Sequence, residues 1–162
     1  MIQSFRVPSP ESRVPSPESR TPHKESVMPL ITGFYAALAT LLVLVLAARI
    51  VWLRNVRKIG MGDGGDQQLA RAIRVHANAV EYLPLALLLL LILELQHTAA
   101  LWLNVFGISL IVARVLHALG LSGSSGYSFG RGVGIVLTWL AMLAMLGVAL
   151  WHYLALQVLL AR

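Results

Sequence analysis

The feature that most constrains the fold is an apolar stretch over residues 30–53, which is long enough to cross a lipid bilayer as one helix. Its only charged residue is Arg49, about one turn from the end, where a long side chain can reach the interface. Hydrophobic residues make up 57% of the 162-residue chain and charged residues 12%. Soluble domains have roughly 45–50% apolar and about 25% charged residues. The sequence therefore predicts an integral membrane protein.

Three further membrane spans are predicted, over residues 68–95, 98–119 and 132–156. The second contains an apolar stretch only over residues 82–93, so its helix must begin upstream and carry polar residues into the membrane. The fourth ends in Trp151, His152 and Tyr153, an aromatic cluster typical of a membrane interface. The predicted fold class is all-α, an integral membrane four-helix bundle over residues 28–162.

The N-terminal segment has a different composition. The heptapeptide VPSPESR occurs at residues 7–13 and again at 14–20. A segment rich in proline, serine and alternating charges cannot bury a core, so residues 1–27 are predicted to be a disordered extension. Met28 directly precedes the first span, which suggests that translation naturally starts there.

The positive charges indicate an orientation in the membrane. The net charge is +6, but the basic residues lie at span ends and in short connections, which argues against nucleic acid as a partner. The first connection carries Arg54, Arg57, Lys58 and Arg71, the second carries no Lys or Arg, and the third carries Arg131. The first and third connections are therefore predicted to be cytoplasmic, with both termini on the far side. The third, residues 120–131, is rich in glycine and serine and is predicted to be a mobile lid.

Several kinds of chemistry are excluded or have a simple structural interpretation. The sequence has no cysteine, so any thiol chemistry must use a thiol that arrives as a substrate. The histidines show no paired spacing that would hold a metal ion, and no metal site is predicted. Asp63 and Asp66 in the segment GMGDGGDQQ predict a tight turn followed by a helix cap.

A polar stripe runs along the second span. With Arg74 at zero and about 100° per residue, Arg71 lies near 60°, Asn78 near 40° and Glu81 near −20° on the helix. A stripe of this kind inside a membrane favours a polar cavity or a partner. The alternative is a purely structural cluster, in which Glu81 neutralises Arg74 or bridges to another subunit.

Further basic residues are expected at the same membrane depth. Arg49 ends the first span, Arg114 and His117 share a face of the third, and Arg131 precedes the fourth. Arg49 and Arg131 have a simpler alternative as topology anchors. Together with Arg71 and Arg74, these residues make five arginines at one depth, and Glu81 is their only acidic neighbour. This arrangement predicts a buried site for an anion that has several carboxylates.

Arg74, Asn78, Glu81 and Pro84 form the pattern R-x-x-x-N-x-x-E-x-x-P. This pattern resembles the signature of the MAPEG family, the membrane-associated proteins in eicosanoid and glutathione metabolism. Four further features are similar to the bacterial branch of the family. They are the flanking sequence IRVHANAVEYLPLALLLL, the GDGG turn, the segment ARVLHALGLS and the arginine before the fourth span. The resemblance covers about residues 28–160.

The resemblance implies a homotrimer in a bacterial inner membrane, with glutathione bound between adjacent subunits near the cytoplasmic side. It implies that Arg74, Asn78, Glu81 and Tyr82 contact glutathione. It also implies that Arg49 and Arg71 make further contacts with the carboxylates, and that Arg131 activates the thiol. Arg114 and His117 are expected to complete the binding site. Eicosanoid-forming members carry two tyrosines one turn apart at the end of helix three, and the corresponding residues here are His117 and Leu121.

The function expected from this resemblance is a glutathione transferase or peroxidase that acts on lipophilic electrophiles or lipid hydroperoxides from the bilayer. Glutathione is the expected co-substrate, and no metal is required. The main alternative is a non-catalytic binding or scaffold protein of the same fold. A small transporter is a weaker alternative, because the charged residues lie at one end of the bundle and leave no continuous polar path.

Overall fold

A computed structural model describes residues 28–123 and 128–162 of the chain. These residues form four helices, α1 (Leu30–Arg57), α2 (Gln67–Leu95), α3 (Ala100–Gly123) and α4 (Phe129–Leu160). Each is long and apolar enough to cross a membrane. The predicted all-α membrane bundle is therefore confirmed as a fold class. The VPSPESR repeat and its predicted disorder lie outside the described residues.

The third connection is shorter than predicted. Residues 120–123 continue α3, and Arg131, expected to precede the fourth helix, lies within the first turn of α4. The cause is Ser128, whose hydroxyl accepts from the Arg131 N–H at 3.4 Å and donates to the Gly120 carbonyl at 2.8 Å. These two bonds cap α4 and attach its start to the end of α3. The part of the predicted lid over residues 124–127 lies outside the described residues.

The first connection has the predicted turn and cap. The Asp63 carboxylate accepts from the Gly65 N–H at 3.0 Å, and Gly62, Gly64 and Gly65 have positive φ values that favour glycine. Asp66 is the N-cap of α2 and accepts from the Leu69 N–H at 2.8 Å. It also pairs with Arg57 at 3.1 Å, which joins the last turn of α1 to the start of α2.

The helices pack around α2 and α3, which touch each other and both remaining helices. Within the described residues α1 and α4 make no contact with one another. The core along α2 alternates small and large apolar residues, including Ala79, Leu83, Ala86 and Leu90. Small residues let helix backbones approach closely where lipid supplies no hydrophobic drive for association. One face of α1 and one of α4 are consequently left without a partner among residues 28–123 and 128–162.

Glycines bring α4 against α3. A Cβ added at Gly134 would lie 2.6 Å from the Ala113 carbonyl oxygen and 2.6 Å from the His117 amide nitrogen. Gly130, one turn earlier on α4, faces the backbone of Gly120. This spacing of two glycines four residues apart is a common basis for close helix contact in membranes. The contact fixes the first turn of α4, and Arg131 with it, beside the end of α3.

A buried carboxylate joins α2 to α1 at the opposite end of the bundle. Both oxygens of Glu94 accept hydrogen bonds from the first turn of α1, from the Ile31 N–H at 2.9 Å and from the Thr32 N–H at 2.7 Å. The amides of a first helical turn have no partner within their own helix. Glu94 therefore caps a helix 62 residues away in sequence. These two hydrogen bonds explain how the Glu94 side chain is tolerated with only 8% exposure.

We expect Glu94→Ala to lower the free energy of unfolding by roughly 1–3 kcal/mol, because one buried and one partly buried amide lose their acceptor. Glu94→Gln keeps one acceptor oxygen and should fall between the wild type and the alanine variant. Thermal unfolding in one detergent measures all three proteins. Equal stability of Glu94→Ala and wild type would show that the cap is not a stabilising contact.

The Asp66 cap should make stability depend on pH. The hydrogen bond from the Leu69 N–H, with the positive charge of Arg57, holds the pKa of the Asp66 carboxyl below its usual value of 3.8. A lowered pKa stabilises the fold above pH 3.8, and this contribution is lost as the pH falls through the lower, folded-state pKa. Wild type should therefore have a higher Tm than Asp66→Asn at neutral pH and lose that advantage in acid. A difference that stays constant down to about pH 3 would contradict this.

Candidate functional site

A cavity of about 270 Å³ opens at the ends of α2 and α3 that face the start of α4. It is lined by Ala70, Arg71, Arg74, Asn78, His117, Leu121 and Arg131. Three guanidinium groups thus face one space, and no acidic residue in the described part of the chain lines it. Such a cavity favours an anionic ligand, since an arginine binds a carboxylate through paired, charge-assisted hydrogen bonds.

Three elements position these side chains. Arg71, Arg74 and Asn78 follow each other along one face of α2, as the helical spacing predicts. His117 comes from α3, and the Gly134 contact holds α4 against its backbone. Arg131 comes from the first turn of α4, where the free amides add a partial positive charge. The positive character of the cavity is therefore built from three helices.

Behind the cavity, Arg114 lies in the interior with 1% exposure. Its Nη2 donates to the Asn78 Oδ1 at 2.7 Å, and its guanidinium lies over the Tyr82 ring, 5.3 Å from the ring centre. Because the Asn78 oxygen is occupied, the NH₂ of that amide is the group left for a ligand. Arg114 thus orients a donor on the cavity wall.

Buried polar atoms around the cavity lack partners. The Nε and Nη1 atoms of Arg114 and the Nδ1 of His117 have no hydrogen-bond partner among the described residues. His117 is 3% exposed, so these atoms are shielded from water. Buried groups of this kind destabilise the fold unless something pairs with them. Their presence beside a cation-lined cavity is a physical reason to expect a bound ligand.

The other predicted site residues lie outside this cavity. The Arg49 Nη1 donates to the Ser122 hydroxyl at 2.7 Å, which ties the C-terminal half of α1 to the last turn of α3. Glu81 and Tyr82 lie one turn farther along α2 than Asn78, and Glu81 is exposed. Within the described residues, no ion pair joins Glu81 to Arg74. The structural alternative in which these two residues neutralise each other is not formed in the chain.

The site is also more open than predicted. The sequence suggests a buried site inside the bundle, whereas Arg74 and Arg131 are exposed in the single chain. Along the polar stripe of α2, Arg71 and Asn78 are partly buried and Arg74 and Glu81 are exposed, so the other helices cover only part of it. Complete enclosure of the cavity would need residues of another subunit or a bound ligand.

Reasoning from sequence missed Ser122, which anchors Arg49. It named Leu121 only as a residue in place of a family tyrosine, whereas in the structure Leu121 adds an apolar wall to the cavity. Both lie in the last turn of α3, in a segment expected to be part of a flexible connection. The helical continuation past residue 119 gave no separate signal, because glycine and serine there are equally typical of a loop.

Relatives were found among characterised sequences. The inner membrane protein YecN of Escherichia coli strain K12 is 34% identical over 123 residues, covering 76% of this chain and 92% of YecN. The YecN protein of Escherichia coli O6:H1, strain CFT073, matches with the same identity and coverage.

The match to a family agrees with these relatives. The model of the MAPEG family aligns with residues 32–151, from the first turn of α1 into α4, and includes every residue that lines the cavity. Because this alignment spans most of the chain, and the YecN proteins share a third of their residues with it, the chain belongs to the MAPEG family.

Proposed function

We propose that the arginine-lined cavity binds glutathione and that the protein is a membrane glutathione transferase or peroxidase. The observation that carries this proposal is the convergence of Arg71, Arg74 and Arg131 on one space that no acidic residue in the described ranges lines. Membership in a family named for eicosanoid and glutathione metabolism supports the choice of ligand. Glutathione has two carboxylates, which suit a site with several guanidinium groups.

In the proposed complex, Arg71 and Arg74 hold carboxylates of glutathione, and the Asn78 NH₂ donates to the peptide. Glu81, exposed one turn farther along α2, receives the α-amino group. Arg49 and Tyr82 complete the binding surface from its edges. His117 supplies part of the wall, and Arg114 lies behind it and holds the Asn78 oxygen so that the Asn78 NH₂ is left for the ligand.

Arg131 is the proposed catalytic residue. A thiol with a pKa of about 8.5 is mostly protonated at neutral pH, and an adjacent guanidinium stabilises the thiolate. For a transferase, the thiolate sulfur forms a bond to the electrophilic carbon while the leaving group departs with its electron pair. For a peroxidase, the sulfur bonds to the terminal peroxide oxygen, the O–O bond breaks, and the alkoxide takes a proton. A second glutathione then yields the disulfide and water.

A homotrimer is part of the proposal. The cavity is open in the single chain, and one face each of α1 and α4 has no partner within the described residues. Neighbouring copies would cover the cavity and Glu81. A lipophilic substrate would then enter from the bilayer between α1 of one subunit and α4 of the next. We infer that the cavity faces the cytoplasm, because the basic connections lie at its end of the bundle. The name of the YecN relatives supports an inner-membrane location.

Binding is tested by a thermal shift of the detergent-solubilised protein with glutathione. At about 100 times Kd, a ligand of the folded state should stabilise it by roughly 2.7 kcal/mol. We expect a clear rise in Tm for wild type and for Arg162→Ala, a matched arginine at the chain end, and little or none for Arg74→Ala.

No shift in any of the three proteins would contradict glutathione binding. It would favour the scaffold alternative, which the Arg114–Asn78 and Arg49–Ser122 hydrogen bonds support, because both form without a ligand.

Catalysis is tested by Arg131→Ala with a reactive aryl halide or a lipid hydroperoxide as the second substrate. We expect kcat to fall about 10–100-fold while the glutathione Kd changes little, because thiolate stabilisation acts mainly on the chemical step. Arg131→Lys should recover part of the rate. Parallel losses in kcat and glutathione affinity would assign Arg131 to binding alone.

A further inference from the structure

A second cavity lies at the other end of the bundle. It has a volume of about 500 Å³ and is formed by the start of α3 and the C-terminal half of α4. Arg131 and His152, which mark the two cavities, are 21 positions apart on α4, or roughly 30 Å along a helix. The two cavities are therefore separate, and glutathione chemistry in one does not involve the other.

The second cavity has an apolar part and a polar end. The apolar walls are Trp102, Phe106, Ala144 and Val148, and the polar end is formed by His97, Thr98 and His152. Trp102 and Phe106 stack with ring centres 6.4 Å apart. The exposed rings of Trp151 and Tyr153 lie beside His152, as expected where a helix crosses the headgroup region. The cavity thus spans the boundary between hydrocarbon and headgroups.

The polar end offers both a donor and an acceptor. The Thr98 hydroxyl is buried and has no hydrogen-bond partner among the described residues. The His152 Nδ1 lies 3.0 Å from the Gln96 Oε1, and because an amide oxygen only accepts, Nδ1 carries the proton. Nε2 is then the ring nitrogen left to accept a hydrogen bond. Of the residues that the structure describes, no Asp, Glu, Lys or Arg lines the cavity.

His97 adds an independent observation. It follows the cap of α2 with a φ of 59°, and its N–H and that of Thr98 bond to the Glu94 and Leu93 carbonyls. This is the helix ending that usually has glycine at the left-handed position, since a side chain there is strained. An imidazole is held in that position at the mouth of the cavity. Strain at such a place points to a function for the side chain.

We propose that this cavity binds one phospholipid with a primary ammonium headgroup, of the phosphatidylethanolamine type. An acyl chain lies against Trp102, Phe106 and Val148. The Thr98 hydroxyl donates to a phosphate oxygen, and the ammonium donates to the His152 Nε2. A zwitterionic headgroup carries no net charge and so suits a lining without charged residues. The proposal is independent of glutathione binding.

The experiment compares lipids with identical acyl chains added to delipidated protein in detergent, with Tm as the readout. Phosphatidylethanolamine should raise the Tm more than phosphatidylcholine, which has the same charges but no ammonium N–H. Diacylglycerol, which lacks the headgroup, should have the smallest effect. Thr98→Val should reduce the phosphatidylethanolamine shift. Ala144→Trp should remove it by filling the cavity, and Leu143→Trp, on the exposed face of α4 outside the cavity, should retain it.

His97→Gly separates a lipid role from a structural one. Relief of strain should raise the Tm of the lipid-free variant, and loss of the imidazole should weaken its response to phosphatidylethanolamine. Equal shifts with phosphatidylethanolamine, phosphatidylcholine and diacylglycerol would overturn the proposal. An unchanged phosphatidylethanolamine shift in both Thr98→Val and Ala144→Trp would also overturn it.

Discussion

The hydrogen bond between Arg114 and Asn78 is the contact on which the arginine end of the bundle depends. A guanidinium with 1% exposure inside a membrane helix bundle is strongly unfavourable without compensation. The Asn78 oxygen at 2.7 Å and the Tyr82 ring at 5.3 Å supply part of that compensation. Both partners come from α2, so the buried charge on α3 fixes the relative position of the two helices. The same bond turns the Asn78 NH₂ toward the cavity and joins folding to ligand recognition.

The contact between α3 and α4 completes this arrangement by a different means. Gly120, Gly130 and Gly134 remove the side chains that would hold the two backbones apart. Ser128 then fixes where α4 begins. Polar bonding thus sets α2 against α3, and close packing sets α4 against α3. Arg131 lies opposite Arg71 and Arg74 only because both conditions are met.

Much of this could be predicted from the sequence, and the rest has identifiable physical causes. Apolar length identified four membrane helices, and a 100° step placed Arg71, Arg74 and Asn78 on one face of α2. The Asp66 cap was also predicted, because its partner is local. The start of α4 was predicted too late because the segment before it is rich in glycine and serine, which indicate a loop but also allow close helix packing. The Glu94 cap could not be predicted, because its partners are backbone amides far away in sequence. No pattern of side chains in the sequence indicates a hydrogen bond to a distant backbone amide.

The two ends of the bundle solve the same problem in opposite ways. At the Glu94 end, a buried carboxylate is satisfied within the chain, since two amides of α1 occupy its oxygens. At the Arg114 end, three nitrogen atoms of Arg114 and His117 are buried without partners among the described residues, and two of the three cavity arginines are exposed. The Glu94 end shows that this fold can pair a buried charge within the chain. The unpaired nitrogens at the Arg114 end therefore need another explanation. The imbalance is explained if the missing partners come from outside the chain, from an anionic ligand and from neighbouring copies. The arginine end is therefore where the glutathione proposal lies, and at the Glu94 end the chain itself supplies the partners of the buried carboxylate.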